Sequence, residues 1–326
     1  MSAAPDAVLN PRAAFPGETR EILALPTEYG QYVGATLHRP QSAIRNPQSA
    51  LLMLPGWSGP RTGPAELMVQ LAVELARAGH TVLRLDLHGR GDSSGAFGDC
   101  DLDRMIADAA VGLAYLQGLG QGMEEEHFPA PRNPEPGTRN ASPPQSAIRS
   151  PQSAILGVCS GANVALGLAA LKPEEVGAVV ALSVLPFQPS RGAVFERRRR
   201  WKNLRNYFWK ALKPDTWLRL LRGELNLGRI RKNVSGAERP GAGERNLKDS
   251  ARDIEAELEA WKGRALFIWG GQDAEAAPAR EHFEKLHGRG VAAEAAFEVV
   301  QGANHNYYGK AWRERLAARI KGFLQG

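Results

Sequence analysis

The sequence has only two cysteines, Cys100 and Cys159. Two thiols so far apart give neither a disulfide framework nor the paired spacing of a zinc site. As free thiols both fit a reducing compartment. No apolar run approaches the ~18 residues that a membrane-crossing helix needs. The stretch MSAAPDAVLNPRAAFPGETR also lacks the apolar core of a secretory signal. These absences lead to the expectation of a cytoplasmic protein with no metal and no transmembrane segment. Length is not lacking: 326 residues suffice for a sizeable core carrying an insertion.

Positive charge is present but unevenly spread. Residues Arg191 to Lys232 hold 14 Lys and Arg against 3 Asp and Glu, a local +11 in a chain of net +6, which leaves −5 elsewhere. Trp201, Leu204, Phe208 and Leu212 recur at helical spacing between those cations. Three readings fit this segment. It could meet an anionic membrane surface as a basic amphipathic helix. It could attract an acidic acyl-carrier protein or an anionic acyl substrate. Or it is a lid whose apolar face covers a site while its charges stay in water. No nucleic-acid-binding motif accompanies the charge, so nucleic acid is not an expected partner.

Two stretches repeat one another, QSAIRNPQSA at Gln41–Ala50 and QSAIRSPQSAI at Gln145–Ile155. Two copies at this separation do not make a solenoid, and both read as insertions that lengthen loops. The segment HFPAPRNPEPGTRNASPP before the second copy is rich in proline and polar residues and reads as disordered. The rest alternates short apolar runs (ALLMLPG, TVLRLDLHG, AILGV, VGAVVALSVLPF, RALFIWGG, AAFEVVQG) with helical patterns. That rhythm predicts an α/β fold with a mostly parallel, doubly wound sheet of buried strands. The expected organisation is a first core part over 1–187, with low-complexity inserts at 41–50 and 127–153. A basic helical lid follows over 188–252, and a second core part over 253–326.

The stretch AILGVCSGANVAL has the form of a strand, a sharp turn and a helix. In such an elbow the nucleophile sits at the apex, and the residues two before and two after it must be small. With Cys159 at the apex those positions are Gly157 and Gly161; with Ser160 they are Val158 and Ala162. A β-branched valine fits the crowded position poorly, so Cys159 is the candidate nucleophile. A helix N-terminus favours its thiolate. The backbone N–H of Ser160, next in sequence, is placed to bind a developing oxyanion.

Candidate partners follow later strands. His305, in GANHNYYG after FEVV, is the candidate base; Asp273, in FIWGGQDAEAAP, is the candidate acid, with Glu275 in reserve. The order nucleophile, acid, histidine is that of an α/β-hydrolase triad. The second oxyanion donor is expected in GWSGPRTG, where Gly56 permits close approach and the N–H of Trp57 is the candidate.

Taken together, LPGWSG, LDLHGRGDSSG, GVCSGA, WGGQD and GANH resemble the oxyanion loop, post-strand loop, elbow, acid turn and histidine loop of the α/β-hydrolase superfamily. The cysteine elbow is similar to that of dienelactone hydrolases. Together with the lid segment it is closer to exosortase-associated hydrolases of bacterial biosynthetic clusters. The resemblance implies the fold and the triad Cys159, Asp273 and His305. With those residues the expected function is a hydrolase of esters, thioesters or lactones working through an acyl-cysteine, without a cofactor, on a small acyl substrate that the basic segment would allow to be carrier-bound or anionic. Two alternatives stay open: an acyltransferase using the same triad, and a non-catalytic interaction module using the basic lid.

Overall fold

Short apolar runs bounded by glycine, proline and polar residues become the strands of one sheet. The computed structural model describes residues 13–41, 50–120, 153–187 and 248–326. Residues 188–247, nearly all of the expected lid, lie outside the described residues, as do 42–49 and 121–152 with most of both repeats. The strands are β1 (Ala13–Phe15), β2 (Glu18–Pro26), β3 (Tyr32–Pro40), β4 (Ala50–Leu54), β5 (Thr81–Leu85), β6 (Ser153–Val158), β7 (Val176–Leu182), β8 (Arg264–Gly270) and β9 (Glu294–Val300). Their order is β1-β2-β3-β5-β4-β6-β7-β8-β9. The first three strands and the β3–β5 pair are antiparallel, and every pair from β5 to β9 is parallel.

Helices α1 (Leu67–Arg77), α2 (Leu102–Gly120), α3 (Ser160–Leu171), α4 (Ile254–Glu257), α5 (Ala276–Gly288) and α6 (Lys310–Gln325) flank the sheet. Alternate residues of β4 show why the strands read as continuous apolar runs. Leu51 and Met53 pack with α1 and α6 on one face, through Leu71 and Ile320. Leu52 and Leu54 face the other way, into the core that α2 and α3 cover through residues such as Leu113 and Leu166. Both faces of a central strand are covered, so period-two alternation in polarity disappears.

Two expectations need correction. Among the described residues the strand β9 is the sheet edge, and of its residues only Val300 is buried; one flank has no neighbouring strand among them to cover it. The second insert, expected to end at 153, gives its last residue to the strand expected from Ala154. Ser153 and Ala154 begin the buried strand β6 and pair with Val176 and Ala178.

Candidate active site

The parallel strands end on one side of the sheet, and the candidate residues lie in the loops that leave those ends. Strand β6 runs into the turn at Cys159, and α3 begins immediately after it. Cys159 has φ 54° and ψ −119°, a strained conformation for a residue with a Cβ, of a kind found at functional sites. The strain falls on Cys159, whereas Ser160 is the first residue of the helix. Two backbone bonds fix the apex: Cys159 N–H donates to Leu182 O (2.8 Å) and Ala162 N–H to Cys159 O (3.0 Å); Ser183 N–H donates to Ile268 O (2.8 Å) and ties the end of β7 to β8.

The flanking glycines are required by contact. A Cβ on Gly157 would lie 2.2 Å from Gly161 O, and one on Gly161 would lie 2.3 Å from the carbonyl oxygens of both Leu54 and Pro55. The start of α3 therefore presses against the end of β4. That closeness also brings Gly56 beside the apex, where its Cβ would be 3.6 Å from Cys159 Cβ.

Asp273 follows β8 in a turn closed by its own N–H on Gly270 O (3.0 Å). The carboxylate is divided between two tasks. Oδ1 accepts the Glu275 N–H (3.0 Å) and Oδ2 accepts the Nδ1–H of His305 (2.6 Å). Glu275, the reserve acid, thus contributes a backbone donor to Asp273. With Nδ1 committed to Asp273, the imidazole has Nε2 for Cys159.

The charge state of the pair follows from these neighbours. Burial pushes the Cys159 thiol up, but hydrogen bonding and charge from His305, with the hydroxyl and N–H of Ser160, outweigh it and leave the thiol below its ordinary pKa. Burial pushes His305 down, but Asp273 and Cys159 outweigh it and raise the imidazole to about 10. Both shifts act in the direction of a thiolate beside an imidazolium.

The loop after β4 carries the other oxyanion candidate. Gly59 N–H donates to Gly56 O (3.1 Å), which turns that carbonyl into the loop and leaves the Trp57 N–H on the opposite side of the same peptide. The Trp57 ring lines a small pocket of about 20 Å³ with Ser160, Asn163, Phe187 and Lys248, space for about one water.

Several residues that shape the site were not singled out from sequence. Ser183 Oγ donates to His305 O (2.9 Å) and lies 3.1 Å from Tyr307 Oη, whose own proton goes to Ile268 O (2.9 Å). Ser183 and Tyr307 both have positive φ, so the histidine loop and the end of β7 are held in strained backbone by buried hydroxyls. Under the oxyanion loop, the guanidinium and N–H of Arg61 both bind the fully buried Asp86. Arg84 Nη1 donates to Arg61 O (2.9 Å). Behind it, Arg84 Nε donates to His38 Nε2 (3.0 Å), and His38 Nδ1–H donates to Glu18 Oε2 (2.6 Å). Burial, then the charge of Arg84, lowers His38 to about 4, so it links the two as a neutral ring. Arg84 and Asp86 did leave a signal: they are charged residues two apart in the otherwise apolar run TVLRLDL, Arg84 within β5 and Asp86 just past its end.

Among the described residues no group of His, Cys, Asp and Glu is gathered as a metal site. No helix among them is long and apolar enough to cross a membrane.

Residues 51–319 match the model of the alpha/beta hydrolase family. No curated protein matches the chain in sequence. Among solved structures, the Pyrococcus furiosus esterase Pf2001 is similar at 18% identity and TM-score 0.57, with 98% of this chain and 97% of that one covered. Est1E from Butyrivibrio proteoclasticus, solved with ferulic acid, is similar at 16% identity and TM-score 0.54 (92% and 97% covered). A dienelactone hydrolase from Anabaena variabilis is similar at 13% identity and TM-score 0.54 (94% and 96% covered). At these identities the likeness is one of fold.

Proposed function

The chain belongs to the alpha/beta hydrolase family, and we propose that it hydrolyses an ester, thioester or lactone through an acyl-cysteine formed on Cys159. The observation that carries this reading is the position of Cys159 at the strained apex, between two glycines that tolerate no side chain, where a His305 already paired to Asp273 holds its thiol below the ordinary pKa.

The thiolate of Cys159 attacks the acyl carbonyl carbon, and the carbonyl π electrons move onto oxygen. The N–H groups of Trp57 and Ser160 receive that oxyanion, a contribution worth roughly 2.7–4 kcal/mol per donor in other enzymes. Collapse breaks the bond to the leaving alkoxide or thiolate, which takes the Nε2 proton of His305. The now neutral imidazole removes a proton from water as the water oxygen attacks the acyl-cysteine. Collapse of this second adduct releases the acid, returning a thiolate beside an imidazolium. Asp273 holds the ring in the tautomer both halves need and stabilises its charged form.

Fold similarity to one protein named as an esterase and one named as a dienelactone hydrolase supports the choice of carbonyl substrates. The test is turnover of a panel of p-nitrophenyl esters and acyl thioesters by wild type and Cys159→Ala. The reading requires turnover of at least one substrate and its loss in the variant. Equal turnover by both would contradict it.

A further inference from the structure

Arg90 lies in the loop after β5, within HGRGDSSG, and is only 4% exposed. Among the described residues no carboxylate pairs with it. A buried guanidinium without a counter-ion costs several kcal/mol unless its surroundings compensate. Here the compensation comes from carbonyls and rings. Nε donates to the Trp57 carbonyl and Nη1 to the carbonyl of His88 (2.5 Å). The guanidinium carbon stands 5.1 Å from the Trp57 ring centroid and 4.5 Å from that of Phe97. Those two rings meet edge to face at 6.2 Å. The Cys100 thiol also lies against it, but burial keeps that thiol above its ordinary pKa, so it supplies no negative charge near neutral pH.

Two of these contacts, the Nε bond and one of the two ring contacts, fall on the same residue, Trp57. Its ring and carbonyl are both held by the same rigid, planar cation, while its N–H is the candidate oxyanion donor. Gly56 has no side chain with which to fix the peptide, and the Gly59–Gly56 bond constrains it from one side only. We infer that Arg90 is a positioning residue: through the carbonyl and ring of Trp57 it holds the oxyanion loop in the conformation that receives the transition state. An arginine suits this task because one fork reaches two carbonyls while its flat faces stack on aromatics.

The inference rests on the proposed acyl chemistry, so the test reads the loop separately from turnover. Arg90→Met and Arg90→Lys would be compared with wild type in two measurements. The first is kcat and KM for a p-nitrophenyl ester. The second is hydrogen–deuterium exchange of the peptide spanning 54–63. Because an oxyanion donor is displaced but not deleted, Arg90→Met is expected to lower kcat about tenfold with KM within about twofold, less than the 10²–10³ lost on full removal. Exchange at 54–63 should rise, and Arg90→Lys, which keeps the charge and one donor, should recover part of both. Unchanged exchange in a folded Arg90→Met protein overturns the inference, as does a KM rise without a fall in kcat. If wild type turns over no ester yet exchange still rises in Arg90→Met, the chemistry fails and the anchoring of the loop stands. If Arg90→Met does not fold, Arg90→Lys decides alone: exchange and kcat both equal to wild type would overturn the role of the fork.

Discussion

His305 Nδ1 donates to Asp273 Oδ2 across 2.6 Å, joining two loops that leave neighbouring strands and leaving the opposite edge of the ring for Cys159. Everything proposed for the chemistry depends on this pair, because it sets both the tautomer and the charge of the imidazole. Asp273→Asn keeps the size of the side chain but removes its charge and permits the wrong tautomer. The acylation rate should fall roughly 10²- to 10⁴-fold, measured as the pre-steady-state release of p-nitrophenol.

The thiolate–imidazolium pair predicts a particular pH dependence. Cys159 is held below its ordinary pKa, so its alkylation by iodoacetamide should gain rate at a lower pH than an ordinary thiol. The rate should fall again as pH drops below that depressed value. In Asp273→Asn the inflection should move upward, since a less stabilised imidazolium supports the thiolate less. Linkage gives the sign for stability: a folded-state pKa raised from 6.5 to about 10 makes the His305 contribution complete below 6.5 and lost as pH rises through about 10. The difference in urea midpoint between wild type and His305→Ala should shrink across that window.

The elbow glycines make a packing prediction. A methyl on Gly161 would meet two backbone carbonyls at 2.3 Å, and neither is the far end of a flexible side chain. Gly161→Ala should therefore cost at least about 1–3 kcal/mol, read by urea unfolding, and should slow acylation by moving the apex away from Gly56. Gly288→Ala, where nothing lies within 4 Å, is the control and should stay within about 0.5 kcal/mol.

Beneath the oxyanion loop, Arg61→Ala removes the cation that faces buried Asp86. Breaking a buried pair on one side costs about 3–5 kcal/mol elsewhere, and a loss of that order in unfolding free energy is expected. The main-chain bonds of residue 61 to Asp86 and Arg84 survive the change, so the oxyanion loop loses one of its anchors and ester turnover should fall less than stability.

Much of this was readable in the chain because the signals are local. Central strands covered on both faces appear as unbroken apolar runs, so β4, β6, β7 and β8 could be placed. The glycines at 157 and 161 fixed the register of the elbow because steric demand there extends only two residues each way. Other features had no local trace. Edge strand β9 reads like its buried neighbours, since composition carries no information about which strand lies at the margin. The Ser183–Tyr307 contact joins residues 124 apart, and the Arg61–Asp86 clamp joins residues 25 apart. Neither pairing follows from spacing, and only the two charges in the apolar run through β5, Arg84 in the strand and Asp86 just after it, hinted at one of them. The resemblance to exosortase-associated hydrolases rests on the elbow and on the basic segment, most of which lies outside the described residues.

The most direct test of the account is the location of the acyl group. After brief exposure to a p-nitrophenyl ester and acid quench, intact-mass and peptide mass spectrometry would report whether one acyl group is bound and where. The account predicts a single adduct on Cys159, absent in Cys159→Ala and retained in Ser160→Ala. An adduct on Ser160, or one that survives Cys159→Ala and vanishes in Ser160→Ala, would contradict it.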